Sequence, residues 1–263
     1  GHESYAYKYN YLLASRTGLV EGIYELAPAS TVKDADSYEH NYTLESYLAN
    51  INYNYDERYY FSTSFRRDGS SRFYKDNRWG NFWSVGANWR ISQEEFLRDT
   101  DWLDNLSIKA SYGVQGNDNI LDPDQNPDYY LWASYYDYTW PNAYLPGATI
   151  SSLENRKITW EKNHNLNIGF ESRFLNRFDL SVEYYNRKTE DMLLKYPMAL
   201  STGFSGYNEN VGNIRNSGLE FTIGAQIVNK PDFTWRATLM GSTVNNKVLK
   251  LTNTEKNEII SGV

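Results

Sequence analysis

Residues 103–117 read Leu-Asp-Asn-Leu-Ser-Ile-Lys-Ala-Ser-Tyr-Gly-Val-Gln-Gly-Asn, and they alternate. Leu106, Ile108, Ala110 and Tyr112 fall on one side of an extended chain, and Ser107, Lys109, Ser111 and Gly113 on the other. That period of two predicts a strand with one greasy face and one wet face. The pattern recurs. Tyr47, Ala49, Ile51 and Tyr53 share a face, as do Tyr59, Phe61 and Phe65, and as do Trp83, Val85, Ala87 and Trp89. Later come Leu166, Ile168 and Phe170, then Leu180, Val182 and Tyr184, then Leu219, Phe221, Ile223 and Ile227, and finally Trp235, Ala237 and Leu239. Most of these segments exceed the length of strands in globular domains and reach that of a tilted strand crossing a bilayer.

The connections are sorted by end. Long loops are expected at about 16–42, 68–80, 115–156 and 190–212, and short turns at about 55–57, 92–102, 174–177 and 230–232. Outer-membrane barrels have this asymmetry, with extended loops outside and brief turns on the periplasmic side. The predicted fold class is therefore all-β: an antiparallel transmembrane β-barrel segment of about nine strands, both ends on the loop side. Residues 1–263 are read as one partial barrel domain. Single-chain bacterial barrels have an even strand number, so further strands are expected from sequence beyond these residues. In the 92–102 link, Ser92 and Glu95 have capping-box spacing and predict one helical turn.

Composition narrows the alternatives. Aromatics make up 16% of residues, with 24 Tyr and 8 Trp, against a mean hydropathy of −0.70. Rings in a polar background suit a barrel wall with aromatic girdles, and they also suit a soluble β-sandwich that binds glycans. A net charge of −7 argues against nucleic acid. The absence of cysteine excludes a disulfide framework and a thiolate metal site. No secretory signal opens the chain, and a barrel must be exported, so an internal piece of a longer protein is expected.

Six blocks resemble the SusC/RagA family of TonB-dependent outer-membrane transporters. They are Arg66-Arg-Asp-Gly-Ser-Ser-Arg-Phe73; Trp79-Gly-Asn-Phe82 with Trp89-Arg-Ile-Ser92; and Leu103-Asp-Asn-Leu with Ala110-Ser-Tyr-Gly-Val-Gln-Gly-Asn117. Trp160-Glu-Lys-Asn with Asn167-Ile-Gly-Phe170, Asn210-Val-Gly-Asn-Ile-Arg-Asn-Ser-Gly-Leu-Glu220 and Asn246-Lys-Val-Leu-Lys-Leu251 complete the set. The resemblance implies a barrel of about 22 strands with a plugged lumen. It implies import of oligosaccharides or peptides with a SusD-like surface lipoprotein, energised through TonB, in the outer membrane of a Bacteroidetes-like Gram-negative bacterium. The plug domain and TonB-contacting segment that such a protein needs are expected outside this chain, and the partners are those segments, the lipoprotein, TonB and outer-membrane lipid. A non-transporting barrel, structural or adhesive, is the other alternative.

Nothing supports catalysis. His2, His40 and His164 have no metal-ligand spacing, and no nucleophile elbow or phosphate loop occurs. Glu94 and Glu95 read as a solvated turn. Asp122, Asp124, Asn126 and Asp128 place oxygen donors at alternate positions, which Ca²⁺ could use, yet the loop glycine and the closing Glu are missing; no cofactor is expected. The aromatic cluster Tyr129, Tyr130, Trp132, Tyr135, Tyr136, Tyr138, Trp140 and Tyr144 is the candidate substrate-binding surface, because exposed rings stack on sugars or grip side chains; packing inside the loop cap is the competing reading. Lys109, Glu171, Glu183, Glu220, Gln226 and Arg236 are the lumen-facing polar candidates. Arg66, Arg67, Arg72 and Arg78 cluster at a strand top, to meet lipid headgroups, line the lumen or pair with Asp68 and Asp76.

Overall fold

The computed structural model describes residues 1–19, 21–119, 127–138, 141–142, 145–204 and 206–251. The strands are β1 (His2–Thr17), β2 (Thr31–Tyr55), β3 (Tyr59–Ser70), β4 (Trp79–Arg90) and β5 (Leu103–Asn117). Four short ones follow, β6 (Tyr135–Asp137), β7 (Pro141–Asn142), β8 (Leu145–Pro146) and β9 (Thr149–Ser152), then β10 (Glu161–Phe174), β11 (Phe178–Pro197), β12 (Gly206–Lys230), β13 (Phe233–Ser242) and β14 (Asn245–Lys250). The long strands form one antiparallel sheet in the order β1-β2-β3-β4-β5-β10-β11-β12-β13, with β14 pairing the upper part of β12. Among the described residues the sheet does not close: β1 pairs only β2, and β13 only β12.

Register turns nine separate alternations into two continuous faces. Tyr53, Phe61, Ala87, Ala110, Ile168, Tyr184 and Leu219 are successive cross-strand partners and make one apolar row. One residue along, Asn54, Tyr60, Asn88, Lys109, Gly169, Glu183 and Glu220 make a row on the opposite, polar face. A slip of one residue in any pair would swap the faces, so the pattern itself pins the register. No second sheet covers the apolar side among the described residues: Ile108, Phe221 and Ile223 are 43%, 38% and 43% exposed. The sandwich reading fails on this point.

The short-turn end is tight. Arg58 N donates to Tyr55 O, and Arg177 N to Phe174 O. Asp56, Glu57, Leu175 and Asn176 all have φ between 51° and 54°, the two left-handed residues that match a hairpin turn to the twist of its strands. Leu175 N also donates to Trp102 O, and Asn176 N to Asp104 Oδ2, tying this turn to the 91–102 link. That link carries a short 3-10 turn, Ile91–Gln93, with Arg90 at its N-cap and no side-chain cap; the Ser92 capping box does not form, because Ser92 is buried inside the turn.

The loop end differs from expectation. Of the segment 16–42 read as loop, β1 takes 16–17 and β2 takes 31–42, leaving 18–30. The segment 190–212 shrinks to 198–205, 68–80 to 71–78, and β5 persists to Asn117. Residues 31–42 hold no aliphatic alternation, since a strand rising above the bilayer has water on both faces; what continues is the backbone ladder, helped by ring contacts and by pairs such as Lys8 Nζ–Glu39 Oε2 at 2.9 Å. Strands can therefore outrun their hydrophobic signature. The described parts of the excursion 118–160 contain the β6–β9 and β7–β8 pairs. The described ends both stand on the loop side, as expected: β1 and β13 run toward the loop end, and β1 starts high on the wall, where His2 pairs Tyr47 and Tyr47 pairs Arg67, three residues short of the top of β3.

The buried core sits at that loop end. Phe73, Phe82, Val114, Leu131, Ile158 and Trp160 form one cluster, with Phe73 and Ile158 fully buried. Phe73 comes from the β3–β4 loop, Phe82 from β4, and Leu131, Ile158 and Trp160 from the excursion. The Trp160 ring lies 5.2 Å from both Phe73 and Phe82, and its Nε1 donates to Arg78 O at 2.9 Å. A Cβ on Gly116 would stand 2.1 Å from the Phe82 ring, so the wall is cut back to glycine where the ring lies. In the full-length protein, Phe73→Ala should cost about 3–5 kcal/mol of local stability. The expected readout is faster proteolysis within 71–78 and 118–160 with unchanged amide-exchange protection along β3 and β10; uniform loss of protection along the wall would contradict it.

Candidate functional site

The loop-end core is roofed by a polar junction centred on Arg72, which is buried in the β3–β4 loop. Its Nη1 donates to Asp118 O at 2.7 Å and Asn119 Oδ1 at 3.1 Å. The guanidinium lies 4.7 Å from the Tyr42 ring centre and 5.2 Å from that of Tyr129. Asp118 Oδ2 accepts from Tyr42 Oη at 2.9 Å and Ser70 Oγ at 2.7 Å. A planar cation with several fixed donors can serve carbonyls in its plane and rings on its faces at once, which an ammonium cannot. One side chain thus joins the β1–β2 hairpin, the β3–β4 loop and the excursion.

The aromatic cluster divides. Tyr129 stacks at 6.2 Å on Tyr7 and lies 5.0 Å from His40, so it closes a ladder along the inner side of the hairpin, where Tyr7 opposes Tyr42, Tyr9 opposes His40 and Tyr11 opposes Tyr38. Tyr130 Oη accepts from Asn41 N at 3.1 Å. Trp132 meets Tyr74 edge-on at 5.3 Å. Tyr135 Oη donates to Asp128 Oδ1 at 3.5 Å. These four are tied into the loop assembly, whereas Tyr136 and Tyr138 are 53% and 65% exposed. Trp140 and Tyr144 lie outside the described residues, as do Asp122, Asp124 and Asn126 of the candidate cation set; Asp128 accepts from Tyr130 N at 2.9 Å.

On the polar face, Lys109 Nζ sits 2.8 Å from both Glu171 Oε1 and Glu183 Oε2. Glu220 is the cross-strand partner of Glu183, so a third carboxylate adjoins a pair that already shares one ammonium, and the patch is acidic. Gln226 and Arg236 are partners farther down, and Arg236 Nη2 binds Asp179 Oδ2 at 2.6 Å, with Arg173 Nε 3.7 Å from Oδ1. Lys109, Glu171 and Glu183 form one group; Arg236 belongs to another. Among the arginines, Arg66 pairs with Asp68 at 2.6 Å and Glu3 at 3.2 Å and donates to Ser46 Oγ.

Sequence reasoning did not single out Tyr42, Ser70, Asp118 or Asn210. Asn210 Nδ2 donates to Thr159 O at 3.0 Å and Asp191 O at 2.7 Å, and its Oδ1 accepts from Thr159 N. The quoted Asn210-Val-Gly-Asn block was the one signal that marked it. Glu94 is not a solvated turn residue. It accepts from Tyr59 Oη at 2.5 Å, Trp89 Nε1 at 2.9 Å and Arg58 Nη1 at 3.3 Å, all at the short-turn rim.

A sheet of long staves, apolar on one face, polar on the other, with turns at one end and an interlocked loop assembly at the other, is an outer-membrane barrel wall. The profile of the TonB-dependent receptor-like β-barrel family matches residues 2–260, and the chain belongs to that family. Within it, the chain is a barrel segment of SusC/RagA type. It is 34% identical over 224 residues to the TonB-dependent receptor SusC of Bacteroides thetaiotaomicron, covering 84% of this chain and 22% of SusC. It is 34% identical over 215 residues to the TonB-dependent receptor P39 of Formosa agariphila, covering 80% of this chain and 20% of P39. In structure it is similar to a chain of the RagAB peptide importer in its closed-closed state, with TM-score 0.83, 27% identity, and coverage of 95% of this chain and 28% of that one. This chain thus spans between a fifth and somewhat over a quarter of the length of these relatives.

Hydrogen bonds from Tyr59 and Trp89, then the charge of Arg58, hold the Glu94 carboxyl below its ordinary pKa. A carboxylate whose folded pKa is lowered contributes stability above its unfolded pKa, near 4.3, and loses that contribution as pH falls through the folded value. The full-length protein should therefore exceed its Glu94→Gln variant in melting temperature at pH 7, and the gap should shrink as pH is lowered below about 4. A gap that stays constant with pH would show that the charge of Glu94 is irrelevant.

Proposed function

We propose that this chain forms part of the barrel of an outer-membrane importer of oligosaccharides or peptides. The polar face lines the lumen, a SusD-like lipoprotein sits over the loop end, and TonB energises uptake through a plug supplied by the rest of the protein. The observation that carries the reading is the continuous two-faced register: a polar row including Lys109, Glu183 and Glu220 backs an apolar row that tolerates only hydrocarbon. RagAB is described as a peptide importer, which supports the peptide branch; the ring-rich loop end suits sugars equally, since flat rings with polar edges serve both.

The acidic patch around Lys109 is the inward surface against which a plug can be held, and the exposed Tyr136 and Tyr138 are the rings available to ligand or lid. The test is a deletion of the complete gene, with complementation by wild type and by a TonB-uncoupled strain. Growth on a panel of oligosaccharides and peptides as sole nutrient should fail in the deletion and in the uncoupled strain for one substrate class. Growth unaffected on every substrate would reject import and favour a structural or adhesive barrel. Replacing Trp132, Tyr136 and Trp140 together with Ala should reduce uptake of the identified nutrient. Unchanged uptake together with unchanged affinity for the lipoprotein would remove the aromatic loop from ligand handling.

A further inference from the structure

The apolar face ends, toward the loops, in a row of cations. Trp83 and Val114 are partners on that face, and the same row continues through His164, Lys188, Arg215 and Lys247. Side-chain contacts confirm the shared face. Trp83 packs 5.6 Å from Tyr112, Tyr112 Oη is 2.9 Å from His164 Nδ1, and His164 Nε2 is 3.2 Å from Glu190 Oε2, whose other oxygen binds Lys188 Nζ. Lys162, one step higher, lies 3.3 Å from Asp191. The row thus holds four cations, Lys162, Lys188, Arg215 and Lys247, of which Lys162 and Lys188 pair with Asp191 and Glu190, and no ion pair engages Arg215 or Lys247 among the described residues. In a chain of net charge −7 this is a local reversal of sign.

Its height is set by the strand. From Phe178, which stacks on Phe174 at the turn end, to Lys188 is ten residues of uninterrupted β11. At about 3.4 Å per residue and a tilt of about 40°, that is roughly 26 Å, against an apolar band of about 25 Å in such barrels. The row stands where hydrocarbon gives way to headgroups on the outer side. Aromatics at a boundary are general; unpaired cations pointing away from the lumen at that level call for an anion in the lipid.

We propose that the outward row Lys162, Lys188, Arg215 and Lys247 binds the phosphorylated headgroup of an outer-leaflet lipid. The unpaired Arg215 and Lys247 take the phosphate, and Lys188, fixed by Glu190, borders it. The proposal rests on the reading of this sheet as bilayer wall. The test uses the full-length protein in dodecyl maltoside, titrated with phosphorylated lipid A, with the same lipid A after dephosphorylation, and with inorganic phosphate, while melting is followed by heat-modifiable gel mobility. Phosphorylated lipid A should raise the melting temperature, and the dephosphorylated form should need at least about tenfold more lipid for the same shift. Arg215→Gln with Lys247→Gln should weaken the response to the phosphorylated form by about tenfold. If that double variant yields no folded barrel, Lys247→Gln alone, at an exposed position, should still weaken it. Equal responses to both lipids, a response to inorganic phosphate alone, or an unchanged variant would overturn the headgroup site. Carbonate extraction of membranes separates the two levels: protein that washes out defeats the wall reading, whereas protein that stays embedded without phosphate preference defeats only the headgroup site.

Discussion

A backbone crossing hydrocarbon must satisfy its own hydrogen bonds, and everything in this chain follows from how it does so. Each N–H and C=O that loses water must find a partner on a neighbouring strand, and the register of that partnership decides which side chains share a face. Here the ladder runs without a break from β1 to β13. Because partners share a face, nine modest alternations add up to a single greasy surface, exposed as no globular protein would leave it. The chain has little conventional core, and what it has lies at one end.

That end obeys a different physics. Above the bilayer both faces of a strand meet water, so side chains, and not lipid, must hold the loops. They do so through rings and a few multivalent polar groups. Trp160 is wedged between Phe73 and Phe82, Arg72 spans three segments, and the Asn210 amide holds Thr159 and Asp191 together. At the opposite rim the arrangement is spare: left-handed pairs such as Leu175 and Asn176 reverse the chain, and Glu94 collects three donors from the adjoining strand ends. The wall between these ends is uniform, in keeping with its one task of separating lipid from water.

What was legible in the sequence was what lipid imposes. Strand centres, strand parity, turn positions and fold class were read from alternation, and the faces of Ile108, Ile168 and Leu219 lie together as that alternation requires. What was not legible lay where lipid has no say. Residues 31–42 continue as strand without any aliphatic rhythm, because their ladder is held by backbone bonds with a few ring and ion pairs, such as Tyr11 on Tyr38 and Lys8 with Glu39. The partnership of Arg72 with Tyr42 and Asp118 joins residues far apart in the chain, and no local spacing encodes it. Lys109 was visible as a charge on the polar face; that it serves both Glu171 and Glu183 depended on cross-strand neighbours from β10 and β11.

The junction at Arg72 also limits how such proteins diversify. Hairpin, loop and excursion share one guanidinium, so none of the three can be traded for a relative's version without disturbing the other two. Chimeras that transplant a single loop between paralogues would inherit mismatched halves of one joint, whereas grafts that move all three segments together would carry the joint intact. A graft of the whole rim is thus the exchange that this joint tolerates, with the staves beneath left as they are.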